Sequence, residues 1–128
     1  MYRRDSQDKE WQKVKEVVRK RDRLDRLQKV LTPAEYSLVR RNAGPLIHIL
    51  DPAHYLPASK YPELIYKSYN IVLLNRWSHS QLDACRDPIT GENISLEERD
   101  AWWIRILKGN TEQLQIRLYY RLKKNLKQ

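Results

Sequence analysis

The chain has 128 residues, a length that suits one domain with a modest core and is too short for two. Charged residues make up 32% and the formal net charge is +9, which favours a polyanionic partner, either nucleic acid or an anionic membrane surface. The single cysteine, Cys85, excludes an internal disulfide and any zinc site built from several cysteines. No stretch approaches transmembrane length and the N-terminus lacks the apolar core of a signal peptide, so we expect a cytoplasmic protein without membrane contact.

The charges are distributed unevenly along the chain. Residues 1–50 carry 13 Lys or Arg against 7 Asp or Glu, and residues 101–128 carry 7 against 1. Residues 51–100 reverse this balance, with 5 against 8. Two basic flanks can hold phosphate while an acidic middle can hold a cation, and ordinary surface variation is the alternative explanation.

Helices are predicted on the N-terminal side of a small non-helical insert. Apolar residues at helical spacing predict one long helix over residues 6–31. Its two apolar seams consist of Trp11, Val14 and Val18, and of Val17, Leu24, Leu27 and Leu31. Residues 32–35 form a capping box with proline at the first helical position, so a second helix should run to about Asn42.

Two strands and a short helix are predicted in the middle of the chain. Residues 46–50 form an apolar run that suits a buried strand, and residues 71–74 form the second strand. Proline, serine and lysine over residues 57–62 mark a loop between them. A short helix from about Arg76 to Cys85 would carry His79.

Turn chemistry over residues 87–91 separates this insert from the C-terminal helices. Residues 95–98 form another capping box, which opens a helix to about Lys108 with Trp102 and Trp103 interpreted as core. Asn110 caps a closing helix, whose apolar face consists of Leu114, Leu118, Leu122 and Leu126.

Two of the three histidines, His54 and His79, bracket an apolar run that begins with Asn70. A base, a bracing amide and a metal ligand, in that order, form the smallest set that can cut a phosphodiester with one metal ion. The third histidine, His48, falls within the first predicted strand and is interpreted as structural.

Residues 46–85 resemble the ββα-metal finger of the HNH endonuclease family. His54 to Asn70 is 16 residues and Asn70 to His79 is 9, both close to the family's usual spacings. Residues 53–57 are similar to the Ala-His-Ile-x-Pro form of the family's first strand. Upstream, Trp11 and residues 20–22 are similar to its Trp…Arg-Asp lead-in helix. The chain lacks the cysteine pairs of many relatives and so resembles variants without a zinc knuckle, as found in phage and mobile elements.

The resemblance implies an α+β, mainly helical domain over residues 1–128. A finger at about 46–85 would lie between basic helical flanks at 6–42 and 95–126. The protein would act in a bacterial cell or a phage-infected host. Oligomeric state stays open, since the apolar seams can pack on the finger or pair two chains as a homodimer.

The resemblance also assigns roles to residues. His54 would be the general base, Asn70 the brace of its loop and His79 a metal ligand. The family usually places Asp or His directly before the catalytic histidine, where this chain has Ala53, so Asp51 and Asp83 are the candidate co-ligands.

The implied cofactor is one divalent ion, with Mg²⁺ or Mn²⁺ favoured and another transition ion left open. The implied substrate is DNA, with RNA as an alternative. The basic residues predicted to contact phosphate are Arg19, Arg21, Arg117, Arg121, Lys123 and Lys124. Two rival interpretations are a catalytically degenerate protein of the same fold and a non-enzymatic, basic nucleic-acid-binding protein.

Overall fold

The structure is a computed structural model that describes residues 5–57, 59–108, 110, 112, 113, 115 and 116. Its helices are α1 (Asp5–Asp22), α2 (Arg26–Val30), α3 (Pro33–Ala43), α4 (Arg76–Asp83) and α5 (Leu96–Leu107). Its strands are β1 (Leu50–His54) and β2 (Ile71–Asn75), which pair as one antiparallel sheet. The predicted class, α+β and mainly helical, is confirmed. None of the helices in the described ranges is long and apolar enough to cross a membrane.

The predicted single helix over residues 6–31 is wrong, because the chain turns between α1 and α2. Arg23 has a φ of 62°, in the left-handed region that interrupts a right-handed helix. A new helix then begins after Asp25, whose carboxylate accepts a hydrogen bond of 3.2 Å from the Leu27 amide. Asp25 is therefore the N-cap of α2.

The turn also divides the predicted apolar seams. Leu27 and Leu31 are buried, whereas Val17 and Leu24 remain 51% and 49% exposed, so the second seam forms only in its later half. The first seam packs against the sheet, which is one of the two arrangements that the sequence left open. That cluster comprises Trp11, Val14, Val18, Leu50, Tyr66, Ile71 and Leu73.

The first strand begins later than predicted. Residues 44–48 form a 3₁₀ turn that opens with Gly44 at a φ of 55°, and β1 follows at Leu50. His48 is consequently exposed on this turn and not a structural histidine within a strand. β1 tolerates Pro52 because it is an edge strand, where a missing amide donor need not cost a ladder bond.

The free edge of β2 is covered by side chains from the end of α1. The Leu73 amide donates a hydrogen bond of 2.9 Å to the buried Asp22 carboxylate. The Ile71 carbonyl accepts hydrogen bonds from Arg21 and from Gln113. A two-stranded sheet is marginal alone, and these bonds anchor it to α1 and to Gln113.

The remaining helices follow their sequence signals. Capping boxes at Thr32 and Ser95 open α3 and α5 as predicted. Trp103 is buried in the core and Trp102 is half-buried, so their interpretation as core is confirmed. The Asn110 side chain accepts a hydrogen bond from the Gln113 amide, as a helix cap does. The rest of the predicted closing helix, with Arg117, Arg121, Lys123 and Lys124, lies outside the described residues.

Candidate active site

The candidate residues lie on a continuous unit of strand, loop, strand and helix. In the register of the antiparallel pair, His54 lies opposite Ile71 and Leu50 lies opposite Asn75. α4 begins directly after β2, with the Asn75 side chain as its N-cap. This places His79 one turn into α4, at the end of the sheet where β1 begins.

His54 ends β1, and its ring is held by two contacts. Its Nε2 lies 2.9 Å from the carbonyl oxygen of Ile65. A carbonyl can only accept, so Nε2 carries the proton in the neutral ring and Nδ1 keeps its lone pair. The ring also stacks on Trp11 of α1, with centroids 5.6 Å apart and planes 16° from parallel. In this tautomer Nδ1 is the unprotonated nitrogen and is the one that can act as a base.

Asn70 braces the chain just after His54. It is buried, with its Oδ1 accepting a 2.8 Å hydrogen bond from the Leu56 amide and its Nδ2 donating one of 2.9 Å to the Leu56 carbonyl. The Asn70 carbonyl accepts a further hydrogen bond from the Tyr55 amide. Asn70 therefore fixes the backbone of Tyr55 and Leu56, the first two residues of the loop. A backbone contact of this kind was predicted for Asn70.

The second group of candidate residues surrounds the ring of His79. Its Nδ1 lies 3.4 Å from an Asp51 carboxylate oxygen, and its Nε2 lies 3.3 Å from an Asp83 oxygen. Asp83 is one turn after His79 in α4, which brings both side chains to the same helical face. The Asp51 and His79 side chains are 21% and 24% exposed and that of Asp83 is 60% exposed, so the group is open to solvent.

Arg76 also contacts this group, and the sequence analysis did not identify it. Its guanidinium donates to both oxygens of Asp51, at 3.2 and 3.0 Å. Burial alone would raise the pKa of Asp51, but hydrogen bonds from Arg76 and His79 hold that pKa below its usual value. The sequence placed Arg76 at the start of the predicted short helix, but the strand predicted at residues 46–50 gave no indication that Asp51 would lie beside it.

The three predicted metal ligands are adjacent but do not surround one point. Among the described residues, no group of three or more His, Cys, Asp or Glu side chains is arranged to hold a metal ion. The reason is geometric. Asp51 lies at Nδ1 of His79 and Asp83 lies at Nε2, and Arg76 already donates a hydrogen bond to Asp51. Imidazole and carboxylate are donor types that suit a divalent ion such as Mn²⁺, so the chemistry of these side chains fits an ion while their arrangement does not.

The two halves of the predicted site lie on opposite faces of the sheet. Alternate residues of a strand share a face, so Asp51 lies with Ala53, which is buried in the same core cluster as Leu82 of α4. His54 faces α1 instead, where it stacks on Trp11. Along the strand, His54 is three residues from Asp51, or about 10 Å at a rise of about 3.3 Å per residue. The structure thus forms two separate groups: Asn70 bonds the two residues that follow His54, and His79 contacts the aspartates.

Arg21 does not fit its predicted role in phosphate contact. Its guanidinium bonds to the Asp22 carboxylate and to the carbonyl oxygens of Ser68 and Ile71. The N–H groups of Arg21 are therefore used within the protein. The predicted phosphate contact of Arg21 is wrong, and its role is structural. Arg19, two residues earlier, is exposed on α1, and its contact with phosphate stays a prediction.

Known proteins give no further guide to this fold or site. No protein-family model, curated protein or solved structure matches the chain. The likeness to HNH endonucleases therefore depends on the spacing of His54, Asn70 and His79 in the sequence.

Proposed function

We propose that the protein is a metal-dependent endonuclease of the HNH type, which hydrolyses phosphodiester bonds in DNA. The observation that carries the proposal is the state of His54, whose Nε2 is bonded to the Ile65 carbonyl so that Nδ1 is the basic nitrogen. In this mechanism Nδ1 removes a proton from the water that attacks the phosphorus. Groups that do this work best when their geometry is fixed before the substrate binds.

Asn70 contributes to catalysis through the backbone. Its two bonds to Leu56 hold the segment that leaves β1 immediately after His54. A buried amide bonded at both ends cannot rotate without losing a hydrogen bond, so the loop keeps one conformation. The histidine then meets each substrate in the same orientation, which is the bracing role that the resemblance implies.

The metal ion would be held by His79 together with Asp51 or Asp83. When bound, such an ion stabilises negative charge on the phosphate and on the leaving 3′-oxygen. Asp51 stays ionised because Arg76 and His79 hold its pKa low, so it is ready to act as a ligand. If Asp51 is the ligand, Arg76 must release it and is then free to contact phosphate. The family resemblance implies a 5′-phosphate and a 3′-hydroxyl as products.

An in-line reaction sets a condition on the positions of the two groups. The attacking and leaving oxygens lie on opposite sides of the phosphorus, so a base and a leaving-group stabiliser must approach from two directions. Both must also lie within a few ångströms of one phosphorus. Asp51 is about 10 Å from His54 along β1 and on the opposite face, so the His79 group must move towards His54 for one phosphodiester to meet both. The net charge of +9 favours binding of such a polyanion.

A second candidate is a protein of the same fold that binds nucleic acid without cutting it. The pairing of Asp51 with Arg76, and of His79 with both aspartates, favours this alternative because no three-ligand group is assembled among the described residues. Such a protein would bind DNA with a strong dependence on salt and no dependence on metal.

Incubation with supercoiled plasmid distinguishes the two candidates. The endonuclease nicks plasmid in Mn²⁺ or Mg²⁺ and not in EDTA, and a parallel incubation with RNA tests the substrate. Absence of nicking in either metal, with salt-sensitive binding intact, would leave the binding protein as the better description.

A further inference from the structure

The contact between Trp11 and His54 joins the first helix to the candidate base. Trp11 is half-buried, and it packs with Val14 and Val18 in the cluster that fastens α1 to β2. Its position is therefore set by the core and not by the loop that follows His54. Lys15, one turn later, places its ammonium 5.5 Å from the centroid of the same indole, which adds a cation–π contact to that position.

The stack and the hydrogen bond to His54 restrain different motions. A histidine side chain has two torsions, so two independent contacts are enough to fix the direction of both ring nitrogens. The bond from Nε2 to the Ile65 carbonyl fixes one edge of the ring. The indole, nearly parallel at 16°, fixes the plane in which the ring lies. With either contact removed, the ring can still pivot about the other.

We propose that Trp11 is a positioning residue that holds the plane of the His54 ring and so aims Nδ1 at the attacking water. This inference depends on the proposed function, because the direction of Nδ1 matters only if His54 is a base. Trp11 does not touch the reacting atoms. Its effect is on the turnover of bound substrate, since a displacement of reacting groups by about 1 Å can cost up to ~100-fold in rate.

The test compares Trp11→Leu with Trp11→Phe. Leucine keeps apolar bulk without a flat face, whereas phenylalanine keeps a flat face that can stack. Turnover is measured at saturating plasmid in Mn²⁺, and ¹⁵N NMR of the histidine rings reports the tautomer of His54. Trp102→Leu is the matched control, because Trp102 is also a half-buried helical tryptophan but packs on the other core cluster.

Trp11→Leu is expected to lower kcat about tenfold, with little change in KM or Mn²⁺ affinity, and to shift the ¹⁵N signals of the His54 ring, because a ring that pivots weakens its bond to the Ile65 carbonyl. Trp11→Phe should stay within about threefold of wild type. Trp102→Leu should lose thermal stability and keep its kcat and its His54 tautomer.

Two results would overturn the inference. One is wild-type kcat with an unchanged His54 spectrum in Trp11→Leu, which would leave the nuclease proposal standing. The other is an equal loss in the leucine and phenylalanine variants, which would mean that Trp11 acts only by packing. If the wild-type protein cuts no DNA, the proposed function fails first, and the NMR comparison alone decides whether Trp11 orients His54.

Discussion

The side chain of Asn70 forms two hydrogen bonds with the backbone of Leu56: it accepts one from the amide at 2.8 Å and donates one to the carbonyl at 2.9 Å. Leu56 is the second residue after β1, so this pair determines how the chain leaves the strand that ends with His54. The contact spans 14 residues of sequence and closes the loop between the two strands.

Asn70→Ala should reduce both stability and turnover. Its two lost bonds leave backbone groups of Leu56 without partners, at a cost of about 1–3 kcal/mol in the free energy of unfolding. Urea denaturation measures that loss, and kcat at saturating DNA should fall as well. Asn42→Ala is the control, because the Asn42 side chain also bonds a backbone carbonyl, that of Ile89, but far along the chain from His54. A normal kcat in folded Asn70→Ala would remove the bracing role.

Arg76→Gln identifies the second metal ligand. Arg76 occupies both oxygens of Asp51, so an ion that uses Asp51 must displace it. If Asp51 is a ligand, the variant should bind Mn²⁺ several-fold more tightly by calorimetry, and His79→Ala should weaken binding. Unchanged affinity in Arg76→Gln, together with weaker binding in Asp83→Ala, would assign the role to Asp83. If His79→Ala binds Mn²⁺ as wild type does, the site around His79 is wrong.

Arg19 and Arg21 form a matched pair for testing contact with DNA. Arg19 is exposed, so Arg19→Ala should flatten the slope of log K against log salt by about 0.9 without changing stability. Arg21→Ala should instead lower the melting temperature, because Arg21 anchors α1 to the carbonyl oxygens of Ser68 and Ile71. An unchanged salt slope in Arg19→Ala would mean that this part of α1 faces away from the nucleic acid.

Glu35 predicts a loss of stability in acid. Hydrogen bonds from Arg105, and then from the Thr32 amide, lower its pKa from 4.5 to about 2. Because the pKa in the folded state is the lower one, the stabilisation is complete above about pH 4.5 and is lost as the pH falls towards 2. The difference in melting temperature between wild type and Glu35→Gln should shrink over that interval. A difference that stays constant from pH 6 down to about 2 would contradict the assignment.

Elements that begin with local signals were predictable from the sequence. The capping boxes at Thr32 and Ser95 fixed the starts of α3 and α5, because a cap is a contact within one helical turn. The break at Arg23 was not predictable, because distant residues stabilise it. Asp25, just beyond the break, accepts hydrogen bonds from Tyr36 and from Asn75, which come later in the chain.

The candidate site was likewise predictable only in part. His54, Asn70 and His79 were found because their order and spacing are properties of the sequence. The stacking of Trp11 and the pairing of Arg76 with Asp51 depend on how α1 and α4 pack on the sheet. Spacing alone also could not show that His54 and the His79 group lie on opposite faces of β1.

The rate of DNA cleavage by His54→Ala tests the central claim most directly. Measured under single-turnover conditions in Mn²⁺ at saturating DNA, the rate should fall by about 10²–10⁴-fold. DNA affinity and Mn²⁺ affinity should stay close to wild type, because His54 contacts neither Arg19 nor the His79 group. Cleavage by His54→Ala at the wild-type rate would contradict the account, since no other residue has been assigned to deprotonate the attacking water.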